Sequence, residues 1–256
     1  PRVRRQRQMC IRDRYKLYTS YTREMSGDDV GVWFDYDTDE GEAIEVKMGI
    51  SYVSIENARL NMNTEQPGFD FDKVRTAAST MWNKDLSKVQ VEGGTKDEKT
   101  IFYTGMYHLL IHPNILQDVN GEYPMMESLK VGHTTGNRYT VFSLWDTYRN
   151  VSTLMTLLYP ERQLDIIRTM LDMYRENGWL PKWELYGRET FTMEGDPSIP
   201  YIVDAWMRGL RDFDEQTAYE AMRKGATTPG EFNLLRPDAN DYFSKGYVPL
   251  REQYDN

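Results

Sequence analysis

From residue 54 to residue 225, apolar side chains return again and again at helical spacing, and this recurrence restricts the fold more than any other feature. Phe102, Met106, Leu109 and Leu110 form one stripe, opened by Lys96 and stopped at Pro113. Val151, Leu154 and Leu158 mark a helix over residues 145–158, and Leu164, Ile167, Leu171 and Tyr174 mark one over 161–176. That helix ends near Gly178, with Pro181 behind it. Ile202, Trp206 and Leu210 predict a helix over 199–211, and Asp214 caps a last one reaching Gly225. An earlier helix, capped by Asp72, carries Val74, Ala77, Ala78, Met81 and Trp82. A stripe of this kind is buried only against another element. Helices in series therefore imply antiparallel hairpins, closing into an α/α toroid or running on as a solenoid. No fixed-period repeat is present, which weighs against the solenoid.

The N-terminal part reads differently. Ile44, Val46, Met48, Ile50 and Tyr52 alternate with small or polar residues, the period of a half-buried strand. Residues 30–36 predict a second strand, and the acidic run 35–42, with Gly41, the turn between them. Two or three such strands cannot stand alone. Their partners are expected upstream of Tyr15, so that the chain begins inside a domain. Residues 1–14 hold six arginines against Asp13, a net of +5 that leaves −14 on the remaining chain, since the total is −9. The segment has no strand or helix period and no apolar core of a signal peptide, and it reads as an extraneous artefact. Cys10, the only cysteine, lies within it, so neither a disulfide nor a cysteine metal site is open to the rest. An acidic body repels phosphate backbones, which argues against nucleic acid or an anionic membrane as partner. No stretch is long and apolar enough to span a bilayer. The resulting division is 1–14 artefact, 15–53 the end of a β domain, 54–94 a helical linker broken by Gly93-Gly94, and 95–256 the first part of a helical domain.

Chemistry is expected in the loops. Asp118-Val-Asn-Gly-Glu-Tyr123, Phe142-Ser-Leu-Trp-Asp-Thr-Tyr-Arg149, Gly178-Trp-Leu-Pro-Lys-Trp-Glu-Leu-Tyr-Gly-Arg-Glu-Thr190 and Met193-Glu-Gly-Asp-Pro197 place carboxylates near helix ends, most of them beside Trp or Tyr. A sugar site needs both, an aromatic face for the ring and charged groups that bind hydroxyls in pairs. Each residue also has a plainer reading. Asp146 serves equally as a first-turn acid and Arg149 as its i, i+3 partner. Trp145, Trp179 and Trp183 serve as packing, and Glu189 and Asp196 as solvated loop acids. Other constellations fail. Glycine-rich dinucleotide and phosphate loops are absent, as is a Gly-x-Ser-x-Gly elbow. His108 and His112 are at i, i+4, but Leu109 follows the first, so the zinc protease pattern is missing. A pair of catalytic carboxylates is left as the candidate, and periodicity alone does not choose it.

Several runs resemble glycoside hydrolase family 92. They are Ser51-Tyr-Val-Ser-Ile-Glu-Asn-Ala-Arg59, Pro67-Gly-Phe-Asp-Phe-Asp72, Thr100-Ile-Phe-Tyr-Thr-Gly-Met-Tyr-His108 and, most specifically, residues 142–149 with Gly178-Trp-Leu-Pro-Lys-Trp183. The resemblance runs in order from about Tyr15 to the end. It implies an N-terminal β-sandwich followed by an (α/α)6 toroid, so that this chain is mostly α: a partial toroid preceded by the last sandwich strands and a helical linker. It implies an inverting, calcium-dependent exo-α-mannosidase acting on mannose-containing glycans, periplasmic or secreted. The family's acid and base motifs, Glu-Gly-Asn-x-Trp-Gln and Asp-Cys-Gly-Gln, do not occur here. No catalytic residue is therefore assigned in this chain; both are expected C-terminal to Asn256, with most of the Ca2+ ligands. Carried over are substrate contacts at Trp145, Asp146, Glu189 and Asp196. The alternatives are another α/α-barrel glycosidase and a non-catalytic glycan-binding or helical interaction module.

Overall fold

The computed structural model describes residues 8–13, 16–18, 26–27 and 30–249. Two compact units divide the chain, Pro1–Val46 and Lys47–Asn256.

The first unit holds an antiparallel three-stranded sheet. Strands β1 (Gln8–Asp13), β2 (Lys16–Tyr18) and β3 (Gly31–Asp35) lie in the order β2-β1-β3, with Ile11 opposite both Tyr18 and Val32. The strand expected over 30–36 is β3, and the strand it pairs with is β1. It is, however, the very segment the sequence reading set aside as extraneous, and β1 is the central strand. Hydrogen bonding along a backbone needs no apolar alternation, which is why periodicity missed it. Beyond β3 the acidic turn closes as expected: Glu42 N–H donates to Asp39 O at 3.0 Å, and Gly41 supplies a left-handed φ of 79°. The readings at residues 14–15, 19–25 and 28–29 lie outside the described residues.

The strand predicted over residues 44–52 is not formed. Val46 and Met48 are 79% and 76% exposed, so among the described residues the alternating apolar set is not buried. From Lys47 onward, side chains of the following helix hold this backbone in place of a ladder. Helix α1 (Ile55–Glu65) gives Asn61 Nδ2 to the Ile50 carbonyl at 2.8 Å. The approach is close enough that a Cβ at Gly49 would fall 2.1 Å from Ala58 O. Asn57 and Asn61 continue inward, donating to both carboxylate oxygens of the buried Asp118 at 2.8 and 2.6 Å.

Helix α2 (Phe71–Leu86) is capped by Asp70, which accepts from Lys73 N at 2.9 Å, and not by Asp72. None of its side chains is fully buried. Helix α3 (Lys96–Leu109) opens with a reciprocal capping box between Thr95 and Glu98 and buries Met106 and Leu109. The aperiodic stretch after Pro113 is ordered by short pairings: β4 (Asn114–Ile115), β5 (Glu122–Pro124), β6 (Val131–His133) and β7 (Tyr139–Thr140) pair β4-β7 and β5-β6. The helix expected over 145–158 is two, α4 (Leu144–Thr147) and α5 (Val151–Leu158), broken between Tyr148 and Asn150.

Helix α6 (Pro160–Asn177) is the centre of the core. Ile166, Ile167, Met170, Leu171 and Met173 are at most 1% exposed. Burying side chains of that size stabilises by roughly 1.5–3 kcal/mol each. Pro160 occupies the first turn, where its missing N–H costs nothing, and Gly178 closes the end at φ 84°. The buried polar Gln163 is satisfied on both sides, donating to Ser152 Oγ at 2.9 Å and accepting from Tyr201 OH at 3.0 Å. The hairpin β8 (Glu184–Leu185) and β9 (Arg188–Glu189) follows, then α7 (Ser198–Met207), α8 (Glu215–Thr227) under its Asp214 cap, and α9 (Ala239–Lys245). α6 packs on α5, α7 and α8, the arrangement of helical hairpins sharing an inner face.

Candidate functional site

Three loop segments meet at one end of these helices: residues 123–127, 138–147 and 182–191. Two buried acids join them, and neither stood out in the sequence. Glu176, near the end of α6, accepts both guanidinium nitrogens of Arg138 at 3.0 and 2.8 Å, with side-chain exposures of 5% and 1%. It also accepts from Tyr123 OH at 3.0 Å and Met126 N at 2.8 Å, and the Arg138 guanidinium lies 4.5 Å over the Tyr123 ring. Glu184 is fully buried in β8. Its Oε1 accepts from Thr140 Oγ1 at 2.9 Å and Gly187 N at 2.5 Å, and its Oε2 from Val141 N at 3.1 Å. Burial pushes this carboxyl up to about 7, against the downward pull of the Gly187, Thr140 and Val141 hydrogen bonds and of Arg138. Glu184 O accepts from Phe142 N at 3.0 Å, and Gly187 O from Glu127 N at 2.8 Å. Beside them the Tyr52 and Tyr186 rings stack with centroids 4.9 Å apart.

Trp145 and Asp146 occupy the single turn of α4, and both are exposed. Asp146 accepts from the Ser143 hydroxyl. Arg149 does not pair with Asp146; its Nε donates to the Tyr148 hydroxyl at 2.7 Å. Ser143, Leu144 and Thr147 instead line an apolar cleft of about 810 Å3, walled further by Phe102, Phe142 and Trp183. The turn therefore shows one side to the cleft and the other, with Trp145 and Asp146, to solvent. His108 and His112 also line the cleft.

Glu189 stands on the adjoining hairpin with its carboxylate fully engaged. It accepts from the backbone N–H groups of Lys182, Trp183 and Phe191 at 2.7, 2.8 and 2.9 Å, while its own N–H donates to Glu127 at 2.7 Å. It staples the turn and is not the solvated acid its loop position suggested. Asp196 is turned inward against α8. Both carboxylate oxygens are buried without a hydrogen-bond partner, and a Cβ at Gly225 would lie 2.4 Å from Oδ2. Burial pushes its pKa up to about 6, opposed by the charges of Arg236 and Lys182. Lys182 itself is buried, donates to Leu235 O at 2.8 Å, and has its pKa lowered by that burial. Of the four residues singled out in sequence, the corner thus brings the Trp145–Asp146 turn and the Glu189 hairpin to neighbouring segments, while Asp196 belongs to the packing under α8.

Among the described residues, no group of three or more His, Cys, Asp or Glu side chains is placed to hold a metal ion. Asp118 and Glu122 come near one another, but their oxygens already accept from Asn57, Asn61, Asn120 and Ser51.

Acids and aromatic rings gathered on loops beside helical hairpins are what a sugar-binding catalytic domain needs. The chain belongs to glycosyl hydrolase family 92, whose catalytic-domain model matches residues 57–256. A family 92 inverting mannosidase of Bacteroides thetaiotaomicron superposes with a TM-score of 0.85 at 28% identity, over 97% of this chain and 34% of that one. A family 92 α-mannosidase of the same organism, solved also in complex with mannoimidazole, gives 0.80 at 31% identity over 94% of this chain and 33% or 32% of that one. An uncharacterized secreted glycosidase of Arthroderma benhamiae is 28% identical over 220 residues, 83% of this chain and 24% of that protein. The chain thus spans about a third of the solved relatives and a quarter of the curated one. The expected fold holds: the chain is mostly helical and carries part of the family's helical toroid.

Proposed function

We propose that the protein to which this chain belongs is an inverting exo-α-mannosidase that removes terminal α-linked mannose from glycans outside the cytoplasm. One observation carries the reading: nearly the whole chain superposes on two family members named as mannosidases, at 28% and 31% identity. The secreted character named for the Arthroderma benhamiae relative supports an extracytoplasmic location. Among the described residues no helix is long and apolar enough to cross a membrane.

In this reading the chain supplies the substrate side of the site. Trp145 offers an exposed ring for the apolar face of a mannose, and Asp146 an exposed carboxylate able to accept from two adjacent hydroxyls. Glu189 acts through the hairpin it staples, and Asp196 through the packing beneath it; neither has the free, exposed carboxylate a direct contact needs. Inversion requires one carboxylic acid to protonate the leaving oxygen while a second carboxylate activates water on the opposite face. We place both C-terminal to Asn256, together with most of the calcium ligands.

The test is a protein extended through the downstream gene sequence, assayed on α-mannobioses with and without a calcium chelator. Release of mannose with inverted configuration, abolished by the chelator, is expected. Activity indifferent to chelation sinks the calcium assignment, and cleavage of another glycoside in place of mannosides sinks the substrate. The 256-residue chain alone should release no mannose; turnover by it would mean that the catalytic carboxylates lie inside it.

A further inference from the structure

Val141 holds a conformation that a β-branched residue rarely adopts, a left-handed φ of 66°. Such a backbone persists only where its surroundings over-determine it. Here the Val141 amide itself is held by one side chain. Glu184 Oε2 accepts the Val141 N–H at 3.1 Å, and the same carboxylate accepts a hydrogen bond from the hydroxyl of the preceding Thr140 at 2.9 Å. The Thr140 oxygen in turn accepts from Tyr186 N at 2.8 Å, and the Glu184 carbonyl accepts from Phe142 N at 3.0 Å. Three consecutive residues, 140 to 142, are thus held from one residue of β8. The opposite side of the clasp is itself left-handed, at Tyr186 (φ 50°) and Gly187 (φ 86°). Immediately downstream, the chain turns into Ser143 and the α4 helix that carries Trp145 and Asp146.

We propose that Glu184 is a positioning residue, which fixes the direction of the Trp145–Asp146 turn by holding Val141 in its left-handed conformation. The functional meaning of this clasp rests on the reading of Trp145 and Asp146 as sugar contacts; the clasp itself does not. Glu184 touches no sugar in this account, and a group buried this completely is placed to act only through the backbone it grips. An acid serving simply to fill the core would not need a strained partner. An acid that holds strain should become dispensable once the strain is removed.

That difference is the experiment. Hydrogen exchange of the whole chain is followed at the amides of residues 141–147 and, as an internal reference, at those of α6. In parallel, acrylamide quenching of Trp145 is obtained by difference against a W145F background. E184Q should raise exchange over 141–147 at least about tenfold, the effect of losing one hydrogen bond to a charged acceptor, and should make Trp145 quench differently while α6 keeps its protection. The second substitution V141G, which admits the left-handed conformation without a clamp, should restore the Trp145 readout and the protection of residues 142–147 in E184Q/V141G, the amide of residue 141 alone staying without its acceptor. If E184Q alone does not fold, recovery of a folded E184Q/V141G supports the proposal and its failure to fold overturns it. Equal loosening of α6 and 141–147, unchanged exchange in E184Q, or no rescue by V141G would each overturn it. No sugar enters the measurement, so its failure is separate from failure of the mannosidase reading, which shows only in the hydrolysis assay.

Discussion

Arg138 and Glu176 show how much of this corner depends on single side chains. Their bidentate pair is buried, and the carboxylate also holds Tyr123 and the Met126 amide. Removing one partner leaves an uncompensated buried charge, which costs about 3–5 kcal/mol, whereas replacing both by apolar residues of like volume costs far less. E176A should therefore lower the urea midpoint steeply, and R138M/E176L should recover a large share of the loss. Equal losses in both would show that the pair itself, and not the orphaned charge, sets the energy. Glu184 and Asp196 add a dependence on pH. Burial raises them to about 7 and about 6, while unfolded carboxyls titrate near ~4. Between those values the folded chain binds more protons than the unfolded one. Stability is therefore fullest at the acid end of this window and is lost as pH rises through it. Thermal unfolding across about pH 4.5 to 8 should show the midpoint falling, and E184Q should flatten the upper part of the fall, because it removes the group that titrates highest. Of these only Asp196 was singled out beforehand, as a loop acid and not as a buried one. Glu184 and Glu176 look like any loop or helix acid until the fold encloses them, since burial is a property of neighbours far away in sequence. Trp145 and Asp146, by contrast, were found from a local run, and a local run places them on one helical turn.

The elements differ sharply in what their stripes achieve. α6 and α2 both carry helical apolar spacing, yet α6 has seven fully buried residues and α2 none. Periodicity states which face a helix offers, not whether anything covers it. I167A in α6 should cost about 2–5 kcal/mol as a core cavity, and M81A in α2, at a side chain 70% exposed, should stay within about 0.5 kcal/mol. Denaturant midpoints of the two variants separate the cases; comparable losses would mean that α2 is covered in solution. Termini were the most readable part, because caps are local chemistry. Asp214 and Gly178 each sit where the sequence suggests an end, and α3 starts at the expected Lys96, although the cap of α2 is Asp70 and not the expected Asp72. G178A should cost about 1–2 kcal/mol for the left-handed backbone. The added methyl would also press to within 3.2 Å of the Lys224 ammonium that donates to the same residue's carbonyl. The strand expected over 44–52 fails for the opposite reason. Alternation is a promise of burial that only a partner strand fulfils, and here Asn61 and the close approach at Gly49 hold the backbone in its place.

At the scale of the whole molecule, the apolar surface is the informative quantity. Isolated exposed apolar residues are ordinary, but here they recur helix by helix: Ile101 on α3, Leu157 on α5, Met207 on α7 and Tyr219 on α8 are all exposed. Ile101 and Leu154 also border the cleft of about 810 Å3, whose walls are mostly apolar. An apolar cleft of this size is usually covered in a working protein, and the chain spans only about a third of the solved relatives. The 256-residue chain by itself should therefore self-associate at micromolar concentration, which light scattering coupled to size exclusion would show as a mass rising with loading. I101E/L154E, which places two charges at the mouth of the cleft, should lower that mass without lowering the unfolding midpoint, because neither side chain belongs to the buried core. A monomer at every concentration would mean that these faces are stable in water as they stand, and that the helices need no further hairpins to cover them. Association undiminished in I101E/L154E would move the sticky surface to the α7–α8 side, where Val203, Trp206 and Tyr219 line a second apolar groove.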